Sequence, residues 1–145
     1  MKLNIGAGTK IIEGWINIDI LPRSYGLLMM DARKLGFINN SIDEIKAEDV
    51  LEHISFKETI SVLKEWYRVL KEGGKTVALI KPQFEAGRGE VGKGGIIRDE
   101  SKHKEIVEKI KTFSEKTGFA VHGVTESPIK GADGNKEFLI YLEKM

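Results

Sequence analysis

A short apolar run, Lys2–Ile5, passes without a break into Gly6-Ala7-Gly8, and the next apolar run, residues 15–20, carries Asp19 near its end. Glycines at the end of a strand let backbone approach a ligand where a side chain would fill the ligand's space. A carboxylate ending the neighbouring strand can accept hydrogen bonds from two adjacent sugar hydroxyls. Together they call for a sheet whose strands finish on one edge, because open parallel α/β sheets bind ligands in the crevice outside the carboxyl ends of their strands. Gly6 and Gly8 also fit a plain strand-to-helix turn; the acids at the following strand ends favour the ligand reading. A third run, residues 27–30, ends at Asp31, and a fourth, residues 44–48, ends in Glu48-Asp49. Asp31 can receive the amino group of a purine, or cap a helix begun by Ala32-Arg33-Lys34.

The rest of the chain alternates helices with strands. Ile60, Leu63, Trp66, Tyr67 and Leu70 recur at three-and-four spacing, which predicts a helix over 56–71 stopped by Gly73-Gly74. A strand over 76–80 follows, then a glycine-rich loop over 87–95, the one candidate for disorder. Ile106, Ile110 and Phe113 predict a helix over 101–117 ended by Gly118. Strands over 120–124 and 137–142 close the pattern. This alternation predicts an α/β fold, a mostly parallel seven-stranded sheet with helices on both faces. The 127–135 connection is too short for a crossover helix, so the last strand is expected antiparallel, between the 76–80 and 120–124 strands.

Composition narrows the function. A length of 145 residues suits a single domain spanning 1–145. With 23 Lys and Arg against 22 Asp and Glu, the chain lacks the basic surplus of a protein held to nucleic acid by charge alone. Absence of cysteine removes disulfides, thiolate metal sites and thiol nucleophiles, and no metal site is expected. No apolar run approaches the roughly 20 residues of a membrane span, so no membrane partner and a cytoplasmic location are expected. Lys93, Arg98, Lys102 and Lys104 form a modest basic neighbourhood that reads as solvated surface.

Leu3-Asn4-Ile5-Gly6-Ala7-Gly8, Gly14-Trp15-Ile16-Asn17-Ile18-Asp19, Glu48-Asp49-Val50-Leu51-Glu52-His53-Ile54 and Trp66-Tyr67-Arg68-Val69-Leu70-Lys71-Glu72-Gly73-Gly74 resemble the small-molecule-type S-adenosylmethionine (SAM)-dependent methyltransferases of class I, whose fold is Rossmann-like. The resemblance implies SAM as cofactor, with Gly6, Ala7 and Gly8 at its methionine end, Asp19 and Ile20 at the ribose, and Asp31 and Ala32 at the adenine. Glu48 and Asp49 then stand near the reacting methyl group. His53 reads as a structural helix residue facing neighbouring chain, not as a base.

From the fifth strand the likeness changes. Val77-Ala78-Leu79-Ile80-Lys81-Pro82-Gln83-Phe84-Glu85, Gly92-Lys93-Gly94-Gly95-Ile96-Ile97-Arg98-Asp99, Ser127-Pro128-Ile129 and Asn135-Lys136-Glu137-Phe138 resemble hemolysin-like (TlyA) ribosomal RNA 2′-O-methyltransferases. The chain reads like a chimera of the two families, natural or engineered. Those RNA enzymes resemble the FtsJ group, whose Lys-Asp-Lys-Glu tetrad activates a ribose hydroxyl. The resemblance implies Lys81 and Glu137 for the second lysine and the glutamate, and Glu48 or Asp49 for the acid. Its first lysine belongs upstream of the glycine loop, where this sequence shows Met1 and Lys2, and no stretch within these 145 residues is expected to match the family's RNA-binding extension. Lys81, preceding Pro82, could equally pair with Glu137 as structure. The readings left open are SAM-dependent methyl transfer to an RNA ribose 2′-hydroxyl, or a domain that binds SAM or S-adenosylhomocysteine (SAH) without turnover. A small-molecule methyltransferase ranks behind these. Last comes a nicotinamide oxidoreductase, against which the absent third glycine and first crossover helix count. The oligomeric state is not set by the sequence.

Overall fold

The computed structural model describes residues 1–21, 23–54, 56–87, 89–131 and 134–145. Arg88 of the glycine-rich loop and Ala132-Asp133 of the 127–135 connection fall outside them. The elements are β1 (Lys2–Ile5), β2 (Ile16–Asp19), β3 (Leu27–Met29), β4 (Ile42–Ala47), α1 (Phe56–Val69), β5 (Leu70–Ile80), α2 (Pro82–Glu85), α3 (Glu100–Thr117), β6 (Phe119–Glu126) and β7 (Phe138–Lys144), with a 3-10 turn at Leu51–His53. They form one seven-stranded sheet in the order β3-β2-β1-β4-β5-β7-β6. β7 runs antiparallel between β5 and β6, as expected, and the strands from β3 to β5 are parallel.

Periodicity explains the core. In β5, Thr76, Ala78 and Ile80 are buried while Lys75 and Val77 are exposed, the period-two alternation of a strand with one covered face. Val62, Leu63, Trp66 and Val69 of α1 and Ile106 and Ile110 of α3 meet that face at helical spacing. Each such side chain, taken fully from water, contributes roughly 1.5–3 kcal/mol. α3 opens with Asp99 accepting a hydrogen bond from the Ser101 amide and closes at Gly118, φ 113°, which supplies the left-handed backbone that ends a helix.

Two expectations are corrected. α1 ends at Val69, because its last carbonyls are taken from outside: Asn40 and Ser41 amides donate to Arg68 O and Val69 O, and Lys144 Nζ donates to Tyr67 O and Leu70 O at 2.7 and 2.9 Å. Gly73-Gly74 shape a bulge instead of stopping the helix. Ile42 pairs with Leu70 but Glu44 with Lys75, and a Cβ on Gly74 would lie 2.7 Å from Lys71 O.

The second correction concerns the helices on both faces. α1 touches α3 and α3 touches α2, so the described helices gather on one face. Right-handed crossovers toward β5 and β6 place helices there, whereas those toward β2 and β3 would place them on the other face. Those connections hold no helix among the described residues. Two buried asparagines hold the short β1–β2 connection over the sheet instead. Asn4 Nδ2 donates to Asn17 Oδ1 and to Lys10 O, Asn17 Oδ1 accepts from the Ile12 amide, and Asn17 Nδ2 donates to Ile12 O and Trp15 O. Loop backbone is thus satisfied by side chains of the strands it covers.

Candidate functional site

The loops after β1, β2, β3 and β4 enclose a cavity of about 640 Å³ at the carboxyl edge, where the order reverses between β1 and β4. Gly6, Ala7, Gly8, Asp19, Ile20, Asp31, Ala32 and Asp49 line it; Glu48, Lys81 and Glu137 are not among its walls. Its volume lies within the roughly 300–1,000 Å³ of ligand sites.

Gly6 is there for close approach. Its φ is +68°, and a Cβ would sit 2.6 Å from Val50 Cγ2 and 2.9 Å from Asp49 O. The β1 loop is therefore pressed against the end of β4. Asp19 fixes the same loop from the other side: Oδ2 accepts from the Gly8 amide and Oδ1 from the Leu21 amide, both at 2.9 Å. Its carboxylate enters the cavity already oriented by backbone.

Asp31 does not cap a helix, because residues 31–34 form a turn. Its carboxylate is gripped by Arg33, with Nη2 2.6 Å from Oδ2 and Nε 3.0 Å from Oδ1; these hydrogen bonds hold its pKa below the usual range. Arg33 also reaches Glu58. A base bound beside Asp31 would compete with that clamp for the carboxylate.

Of the two acids after β4, Asp49 meets Lys81: Nζ lies 2.9 Å from Oδ1, and the Lys81 side chain is only 13% exposed. Burial opposes ionisation of Asp49, but the hydrogen bond and charge of Lys81, aided by Lys10, keep its pKa below the ordinary value. Glu48 pairs with Lys46 at 2.9 Å, and that bond lowers its pKa against the opposing effect of burial. Glu137 is buried, its Oε1 2.0 Å from where a Cβ on Gly131 would stand. Since Ile80 faces Phe138, Lys81 and Glu137 occupy the next step of that register at the same edge.

Two wall residues escaped the sequence reading. His53, expected to face neighbouring chain within a helix, sits exposed in the 3-10 turn at the cavity wall. Lys10 lines the cavity and lies 3.3 Å from both Glu48 Oε2 and Asp49 Oδ2. His53 stands within the Glu48–Ile54 stretch, where the helix reading turned it away from the site; Lys10 carries no motif signal, since a lysine two residues beyond a glycine loop reads as surface until the loop is folded. Lys102 of the basic neighbourhood is paired with Glu90 and Glu105, as surface lysines commonly are. Among the described residues, no group of three or more metal-binding side chains forms and no helix is long and apolar enough to cross a membrane.

Comparison with known proteins agrees with this geometry. The chain is 43% identical over 89 residues to the Bacillus subtilis protein named "Putative rRNA methyltransferase YqxC", covering 61% of this chain and 32% of the relative. It is 32% identical over 93 residues to the 16S/23S rRNA (cytidine-2′-O)-methyltransferase TlyA of Mycobacterium tuberculosis, covering 64% of this chain and 35% of the relative. The chain thus spans about a third of the length of these curated relatives. A crystal structure described as a "putative hemolysin" from Lactococcus lactis superposes with a TM-score of 0.80 at 31% identity, over 99% of this chain and 77% of that one. The FtsJ-like methyltransferase family matches residues 15–144, a span that includes Gly73-Gly74. By that match the chain belongs to the FtsJ-like methyltransferase family.

Proposed function

We propose that the chain transfers a methyl group from SAM to the 2′-hydroxyl of a ribose in ribosomal RNA. The observation that carries the proposal is the Lys81–Asp49 ion pair at the rim of the carboxyl-edge cavity. The cavity suits SAM: Gly8 leaves open space where a Cβ would stand, and a backbone-anchored carboxylate, Asp19, lines it ready for ribose hydroxyls. When bound, SAM supplies an electrophilic methyl group. In this reading Gly6, Ala7 and Gly8 border the methionine end, Asp19 and Ile20 the ribose, and Asp31 and Ala32 the adenine.

In-line methyl transfer needs the acceptor oxygen aligned and its proton accommodated. Lys81, nearly enclosed, is the group placed to hold the acceptor hydroxyl, and Asp49 fixes its ammonium. Glu137, one step across the β5–β7 edge, supplies a second carboxylate there and in this reading takes the proton that the hydroxyl gives up on methylation. Glu48, bound to Lys46 and Lys10, steadies Asp49's neighbourhood from outside the cavity. The site works on nucleic acid in the cytoplasm. The names of the relatives support ribosomal RNA as acceptor, TlyA's stating cytidine 2′-O-methylation.

The test is transfer of labelled methyl from SAM to bulk ribosomal RNA, with nuclease digestion locating the label, for the parent and Lys81→Met. The proposal expects ribose label from the parent and about 10²–10⁴-fold less from the variant. Equal incorporation would remove Lys81 from the chemistry. SAH binding without any incorporation would leave a cofactor-binding domain lacking turnover.

A further inference from the structure

Lys10, Lys46 and Lys81 converge on two carboxylates at the rim of the cavity. Lys46 and Lys81 each sit 2.9 Å from one acid, whereas Lys10 is shared at 3.3 Å between both. It is also the outermost, with its side chain 67% exposed against 13% for Lys81. Its backbone is nevertheless fixed, since its amide donates to Ala7 O and its carbonyl accepts from Asn4 Nδ2. A charged head on an anchored stem, loosely held by two acids at the surface, can turn toward an arriving anion at little loss, because exposed ion pairs contribute little. It keeps its charge in doing so: the neighbouring Asp49 charge and the hydrogen bond to Glu48 raise its pKa.

We infer that Lys10 is the contact for a backbone phosphate of the acceptor strand, the phosphodiester next to the ribose whose hydroxyl Lys81 receives. The inference rests on the reading of the acceptor as an RNA ribose. In a polynucleotide the 2′-hydroxyl is carried beside its own 3′-phosphodiester. A site that brings the hydroxyl to Lys81 therefore brings an anion to the same rim, where Asp49 joins Lys81 to Lys10 through its two oxygens. Phosphate contacts position a strand without reading its sequence. In a chain of net charge +1, one such contact is a large share of the electrostatic grip.

The experiment measures RNA affinity against salt, with a short single-stranded RNA, for the parent, Lys10→Ala, Lys10→Arg and Lys64→Ala in the presence of SAH. Lys64 is an exposed lysine of α1 and controls for bulk charge. Lys10→Ala is expected to weaken binding about 5–10-fold at moderate salt and to reduce the slope of log affinity on log salt by about 0.7, the share of one phosphate on a single strand. Lys10→Arg retains the slope, and Lys64→Ala moves it by less than about 0.2. Coincident slopes for Lys10→Ala and Lys64→Ala, or a parent whose RNA binding ignores salt, overturn the inference. The methylation test stands apart. A Lys10-dependent slope without ribose methylation sinks the proposed reaction and leaves the phosphate contact, while ribose methylation with an unchanged slope does the reverse.

Discussion

Replacing Gly6 by alanine tests whether the glycine loop serves close approach or merely turns the chain. At φ +68° an alanine carries the left-handed penalty of roughly 1–2 kcal/mol. The new methyl would also lie 2.6 Å from Val50 Cγ2 and 2.9 Å from Asp49 O. Val50 is buried and β-branched, and the other atom is backbone, so neither can swing clear; overpacking of this kind costs roughly 1–3 kcal/mol. The sum is about 2–5 kcal/mol. Gly8 supplies the internal control, because its φ is +53° but nothing lies within 4 Å of its Cβ position. Gly8→Ala should cost only the conformational part, about 1–2 kcal/mol. Urea denaturation of the parent and both variants, read at equal slopes, gives the two losses. Gly6→Ala should further depress methyl transfer by moving Asp49. Equal destabilisation by the two substitutions, within about 0.5 kcal/mol, would refute the idea that Gly6 is pressed against β4.

Asn17→Ala should destabilise the chain by about 2–4 kcal/mol, since it strips partners from Asn4 and from the Ile12 and Trp15 backbone; a thermal melt showing no loss would mean the β1–β2 connection is held otherwise. Asp19→Ala should weaken SAH binding by about 1–3 kcal/mol in calorimetry, and unchanged affinity would remove Asp19 from the ribose. Hydrogen bonds from Arg68, then from the Leu35 amide, lower the pKa of Glu65 against burial. A depressed carboxylate contributes stability that is present above its unfolded value, near 4.5, and lost as pH falls through its folded value. Glu65→Gln should therefore lower the melting temperature at pH 7 and converge with the parent near pH 3; a constant gap would contradict that linkage.

The strand ends were legible because each carries its own chemistry. Gly6, Asp19, Asp31 and Asp49 could be placed on one edge from apolar runs alone, and all line the cavity. The antiparallel β7 followed from a connection too short to cross the sheet. What stayed hidden depends on long-range partners. The end of α1 is set by Asn40, Ser41 and Lys144, which periodicity within 56–71 cannot register. Asn4 and Asn17 look like ordinary strand polar residues until each is seen to satisfy the other. Asp49's pairing with Lys81 needed the β4–β5 register, and Lys10 needed the fold of a loop without repeating pattern.

The uneven depth of the sheet bears on how the cavity would be felt by a ligand. One wall follows β4, which is hydrogen-bonded on both sides and sits in the core; the other follows β3, a three-residue edge strand whose Leu28 and Met29 are 51% and 72% exposed. Edge segments with few buried contacts open locally at low free energy, while central strands open only with the whole chain. The half of the site at Asp31 is thus the yielding half, and the half at Asp49 is the anvil. Part of any ligand's affinity goes into ordering the β3 side, so the heat-capacity change on binding should exceed what the buried ligand surface alone would give.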